Sequence, residues 1–194
     1  MTATRETILN AAMTLFLQNG VRGTTMSRIA EAAGVTRQTV YNTWKNREEV
    51  LRAAVRLVGE RQVAEARRAW AEAGSLSEKI DIFFAAGPLH WWDHLVASPA
   101  SADLLENVPT EASDEMARID DEWRAAIADL LRPCADRLSA LGQTPESYAD
   151  FLFSAGKAAK YQSTDRDQFV ARLGALKASA LALLGEPPDP AVPA

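Results

Sequence analysis

Apolar residues along this chain recur every three to four positions, and no sustained alternation of period two bounded by turn signals appears. That spacing puts them on one face of a helix, so the predicted fold class is all-α. The first helix spans about Thr4 to Gln18, with Ile8, Ala11, Ala12, Leu15 and Phe16 on one face, and Asn19-Gly20 ends it. After the loop VRGTT, Thr25 is the N-cap of a second helix carrying Met26, Ile29, Ala30 and Ala33. Gly34 supplies a left-handed turn that a side chain would resist. Thr36 caps a third helix, with Val35 and Val40 at the two positions of a hydrophobic staple and Trp44 one turn further on. A fourth helix starts after Asn46, where Glu49 completes a capping box, and runs to about Ala73.

The remainder is helical too. After Gly74-Ser75 comes the aromatic-rich stretch SEKIDIFFAAGPLHWWDHLVAS, which Pro88 must kink or split because it lacks a backbone donor. A short helix over Ala102–Asn107 follows, then a long amphipathic one from Ser113 to Ala140 that Pro133 interrupts. Thr144-Pro145 opens a helix reaching about Gln162, and Thr164 or Asp165 caps the last, which Gly185 stops after Leu184. EPPDPAVPA reads as a proline-rich disordered tail. The expected domains are therefore a three-helix helix-turn-helix unit over 1–46, a larger helical domain over 47–185, and a tail over 186–194.

Charge sharpens that division. Residues 1–68 hold 11 Lys/Arg against 6 Asp/Glu, a net of +5, while the rest holds 10 against 20, a net of −10. A basic first third can face phosphates while the acidic remainder points elsewhere. One cysteine, Cys134, allows neither an internal disulfide nor a Cys-rich zinc site. No secretion signal and no apolar run of about 18 residues is present, so the expected location is the cytoplasm, with no membrane partner.

Two short helices joined by a glycine turn have helix-turn-helix dimensions, and the second of such a pair enters the major groove of DNA. The residues facing away from its apolar side suit that task. Arg37 can bind guanine or clamp a phosphate, Gln38 and Asn42 can pair with adenine, and Thr39 can meet thymine. Tyr41 can bond a phosphate, Thr25 and Thr36 sit at helix N-termini that favour phosphate oxygens, and Lys45 and Arg47 add charge.

GTTMSRIAEAAGVTRQTVYNTWKNREEVL resembles the N-terminal DNA-binding region of TetR-family transcriptional regulators. The matching anchors are Gly20, Thr25, Ile29-Ala30, Ala33-Gly34-Val35, Tyr41, the aromatic Trp44 and REEVL, over about Arg5 to Leu51. Arg47 stands where the family usually has lysine, Trp44 where it commonly has phenylalanine, Gln38 where a small residue is common, and Lys45 where proline or a small residue is frequent. The resemblance implies a homodimeric repressor on a palindromic double-stranded DNA operator. It also implies a small-molecule effector held in the C-terminal domain, and no cofactor or catalytic activity.

Aromatic residues crowd that second domain. By their residues alone a filled core is the better reading; the resemblance favours a pocket lined by Phe83, Phe84, Trp91, His94, Leu95, Trp123, Ile127 and Phe151. His90, Asp93 and Asn107 are further polar candidates for its wall. The stripe Phe169, Leu173, Leu176, Ala180 and Leu183, with Ala155 and Ala159 on the preceding helix, reads as a dimer interface built as a four-helix bundle. Two alternatives remain. His90 and His94, four residues apart, have metal-ligand spacing and would suit a metal-assisted hydrolase, yet no third ligand is evident. A helical partner-binding module without DNA activity is the other, against which Tyr41, Lys45 and Arg47 argue.

Overall fold

The computed structural model describes residues 3–95, 110–161 and 163–186. The expected short helix at Ala102–Asn107, the polar candidate Asn107, the side chain of Leu95 and the tail from residue 187 lie outside the described residues. Among the described residues all regular structure is helical, and no helix is long and apolar enough to cross a membrane.

The chain divides into two compact units, residues 1–61 with 93–119, and residues 62–92 with 120–194. The first unit starts with α1 (Ala3–Gly23), whose helical path breaks at Gly20, where φ is 69°. Thr24, fully buried, seals that break: its hydroxyl is shared between the carbonyls of Leu15 at 3.1 Å and Gly20 at 2.9 Å. Then come α2 (Met26–Ala32), α3 (Arg37–Tyr41) and the long α4 (Arg47–Glu72). Ile8, Leu9, Phe16, Ile29 and Val40 form a core together with Trp44, Val50, Leu51 and Ala54. The last three belong to α4, so the expected boundary after residue 46 is corrected: cutting there would strip the head of fully buried side chains.

In the second unit Ser75 caps α5 (Leu76–Phe84), accepting from the Glu78 amide at 3.1 Å. Pro88 falls in a π-helical turn, Ala85–Leu89, which absorbs its missing donor before α6 (His90–Leu95). α7 (Thr110–Leu131) enters this unit at residue 120, and the helix expected to reach Ala140 is split at Pro133 by a 3₁₀ turn ahead of α8 (Ala135–Ala140). α9 (Pro145–Ala158) has a reciprocal capping box between Thr144 and Ser147, and Asp165 rather than Thr164 caps α10 (Arg166–Leu184).

The core of this unit is aromatic. Phe83 lies 5.3 Å from Phe84, 5.6 Å from Trp123 and 6.4 Å from Phe153, centroid to centroid, and Trp70 stands edge-on to Trp123 at 6.3 Å. α10 packs on α5 and α9. Its Phe169, Leu173 and Ala180 are buried, and Phe169 stacks on Trp92 at 4.8 Å. The expected dimer stripe is thus corrected at those three positions, which fill the unit's own interior. Leu176 and Leu183, with Ala155 and Ala159, are half-buried. Phe151, expected to line a pocket, is also corrected: Leu152 and Phe153 take the buried face of α9 and leave Phe151 54% exposed.

Candidate nucleic-acid interface

The turn between α2 and α3 sets the interface. The Gly34 amide donates to the Glu31 carbonyl at 3.1 Å and the Val35 amide to the Ala30 carbonyl at 2.9 Å. This reciprocal pair is a Schellman closure, which needs the left-handed φ of 65° that Gly34 adopts. Immediately beyond it Thr36 caps α3, accepting from the Thr39 amide at 3.1 Å. Val40, fully buried, and Trp44 hold the inner face of α3 to the core.

The outer face then follows from helical geometry. Thr25, Thr36, Arg37, Gln38, Tyr41, Asn42 and Lys45 are exposed, and Thr39 and Arg47 are half-buried. Thr25 accepts from the Arg28 amide at 3.3 Å and so caps α2. The hydroxyls of Thr36 and Thr39 lie 2.8 Å apart, so one proton is spent between them and the other is available to a phosphate oxygen. Arg37 and Lys45 carry no ion-pair partner among the described residues.

Two features refine the sequence reading. Gln38 Nε2 donates to Asn42 Oδ1 at 2.7 Å, so the two amides expected to read adenine separately are joined into one polar surface. Asn42 keeps a second lone pair on Oδ1 and both amide protons, so the joined pair can still meet a base edge. Arg47 is tied down: its Nε donates to Glu48 at 2.9 Å and its Nη1 to the Arg22 carbonyl at 3.3 Å. It fastens the start of α4 to the end of α1 as well as adding charge. Glu49 also differs in detail, since its carboxylate accepts from the Lys45 amide, one residue before the Asn46 cap.

A charged cluster on α4 and α7 escaped the sequence reading because its members are about 60 residues apart in the chain. Glu115, 9% exposed, accepts from Arg56 Nε and Nη2, one on each carboxylate oxygen, and from Arg118 at 3.2 Å, while Arg118 also donates to Glu60 at 3.0 Å. The Arg56 hydrogen bonds, with Arg118 in support, hold the Glu115 carboxyl below the ordinary carboxylate range against the opposing effect of burial. The candidate metal pair fares differently: no group of three metal-ligating side chains exists among the described residues. His90 and His94 are half-buried, and the His90 ring stands edge-on to Trp91 at 5.2 Å.

Of the expected effector residues, Phe83, Phe84, Trp123 and Ile127 are buried, and Trp91 and His94 are half-buried. Buried rings within one unit are what both a core and a pocket wall require.

Residues 8–60 match the family model for bacterial regulatory proteins of the tetR family. The HTH-type transcriptional regulator AcrR of Shigella flexneri is 45% identical over 47 residues, which cover 24% of this chain and 22% of that protein. The curated relatives are matched over 22% to 39% of their own length. Solved structures extend the likeness to the whole fold. The fatty acid degradation regulator FadR from Bacillus halodurans superposes with a TM-score of 0.60 at 20% identity, over 94% of this chain and 96% of that one. SmeT, the repressor of the Stenotrophomonas maltophilia multidrug efflux pump SmeDEF, does so with a TM-score of 0.59 at 22% identity, over 92% and 90%. The segment that carries the turn and α3 thus matches the tetR family of bacterial regulatory proteins, and the all-helical fold of the chain is that of solved TetR-family structures.

Proposed function

We propose that this protein is a homodimeric repressor that occupies a palindromic operator and leaves it when a small, largely apolar effector enters the second unit. The observation that carries the reading is the outward face of α3, where Arg37, Gln38, Tyr41 and Asn42 stand exposed behind a glycine-closed turn. Nine candidate residues, Thr25, Thr36, Arg37, Gln38, Thr39, Tyr41, Asn42, Lys45 and Arg47, are assigned to DNA, with base edges read from α3 and phosphates held around it. Such a protein works in the cytoplasm, where the DNA is.

One head binds DNA weakly, and a palindrome calls for two. An exposed face of α10 beside its buried stripe supports the pairing. Val170, Gly174, Ala178 and Ala182, four residues apart, are all exposed, and a Cβ at Gly174 would meet nothing. Phe151 adds a large exposed ring on α9. The proposed dimer surface therefore shifts to this face of α10. Effector release requires only that the effector bind more tightly to the arrangement of heads that does not fit the operator.

A mobility-shift assay on DNA flanking the protein's own gene tests the reading. A retarded band at low salt is expected, with affinity falling steeply as salt rises. Lys45→Ala should lower the salt slope by about 1 per site without changing sequence preference, whereas Gln38→Ala should relax preference at one position. No band for the purified dimer at low salt would sink the proposal.

A further inference from the structure

Gln62 is nine-tenths buried, and among the described residues neither its Nε2 nor its Oε1 has a hydrogen-bond partner. It lies on α4 within the second unit, one and two turns before Ala66 and Trp70, so all three share a buried face. The contrast with Trp70 is informative. The indole N–H of Trp70 donates to the Lys79 carbonyl at 2.8 Å, so a polar group on the same face is provided for. An amide enclosed without partners costs stability that a Leu or Met of similar size would not cost. Its presence makes sense if a partner arrives from outside the chain.

The chemistry of that partner is constrained from two sides. A glutamine amide offers two donors beside an acceptor, so its complement presents an acceptor beside a donor. The surroundings exclude charge: besides the hydroxyl and indole N–H groups of its aromatic residues, the described part of this unit buries two polar side chains, Gln62 and Ser77, of which Ser77 is engaged, and it buries no Asp, Glu, Lys, Arg or His. An ion brought there would find no counter-charge and would lose its hydration. Trp70, on the Gln62 face, stands edge-on to Trp123 and so leads into the ring cluster that Trp123 forms with Phe83 in the unit's otherwise apolar core. Resting on the effector reading above, we infer that the effector is an uncharged aromatic compound carrying an amide-type group, a donor beside an acceptor, which pairs with Gln62 while its ring joins the aromatic cluster.

The experiment uses the full chain and four probes of similar size: benzamide, benzoate, benzamidine and ethylbenzene. Binding is followed by tryptophan fluorescence and by the shift in melting temperature. Wild type should bind benzamide at least about tenfold more tightly than the anion or the cation. Gln62→Met, which keeps the shape and removes the amide, should melt higher than wild type without any probe. It should also lose benzamide by about tenfold or more and keep ethylbenzene. Gln62→Leu serves as a second shape should the methionine variant fail to fold. A variant that melts lower than wild type, benzamide no better than the two ions, benzamide affinity that survives removal of the amide, or no binding of benzamide at all would each overturn the inference. Ethylbenzene binding that also releases DNA, with no dependence on Gln62, would overturn it while leaving the effector reading intact. Loss of the effector reading itself would show as DNA retention with every probe bound.

Discussion

Replacing Gly59 by alanine pits two effects of opposite sign against each other within the first unit. Alanine is the better helix former, by about 1 kcal/mol in a helix interior. Yet a Cβ at Gly59 would come within 2.6 Å of Ile119 Cγ1 and 2.8 Å of Cγ2, and would overlap its Cδ1 as well. Every branch of that side chain is involved, and Ile119 is only 6% exposed, so it has no room to turn away. Overpacking of this kind costs about 1–3 kcal/mol. The net expectation for Gly59→Ala is a loss of up to about 2 kcal/mol, or a melting temperature lower by several degrees for a chain of this length. Ile119→Ala alone should cost about 2–5 kcal/mol by opening a cavity. In that background Gly59→Ala should stabilise, because the clash is gone and the helical preference of alanine remains. A double-mutant cycle by urea denaturation with circular dichroism reads the coupling, expected at about 1–3 kcal/mol. If Gly59→Ala stabilises the protein with Ile119 present, the close approach of α4 and α7 is not a constraint and the reasoning fails.

Three further expectations concern single side chains. Glu115 titrates below its ordinary 4.5 in the fold, chiefly through Arg56, and near it in the unfolded chain. Its contribution is therefore whole above the unfolded value and disappears as pH falls through the folded one. Since Arg56 is half-exposed, the effect is about 1 kcal/mol, and Glu115→Gln should flatten the acid limb of a melting-temperature profile. Thr24→Val leaves the Leu15 and Gly20 carbonyls without their buried donor and should cost about 1–3 kcal/mol, measured by urea denaturation. Phe151→Glu should turn the proposed dimer into a folded monomer in sedimentation velocity, whereas Phe169→Ala should cost about 3–5 kcal/mol of stability; a monomer produced by Phe169→Ala with unchanged melting would restore the original stripe.

What was legible in the sequence was local. The caps at Thr25, Thr36 and Thr144, the glycine turn at Gly34, the break at Gly20 and the disruption at Pro88 and Pro133 each depend on neighbours within a few residues. Those signals assemble the recognition helix, so the candidate interface could be named before any fold was in view. The second unit was harder for a physical reason. α10 carries alanine and leucine on every side, so two faces satisfy a helical apolar pattern equally well, and only docking on α5 decides that Phe169 goes in and Val170 stays out. The same holds for Phe151 beside Leu152 and Phe153. Boundaries suffer likewise, because Val50, Leu51 and Ala54 continue an uninterrupted helix and nothing in the pattern says which core they enter. The Gln38–Asn42 bond is a different kind of miss. Residues four apart on a helix are neighbours, so the pairing was available from spacing alone. Its consequence is functional: a change at Gln38 alters the conformational freedom of Asn42 as well as its own contact. The two positions should therefore fail to act independently when operator preference is scored in single and double variants.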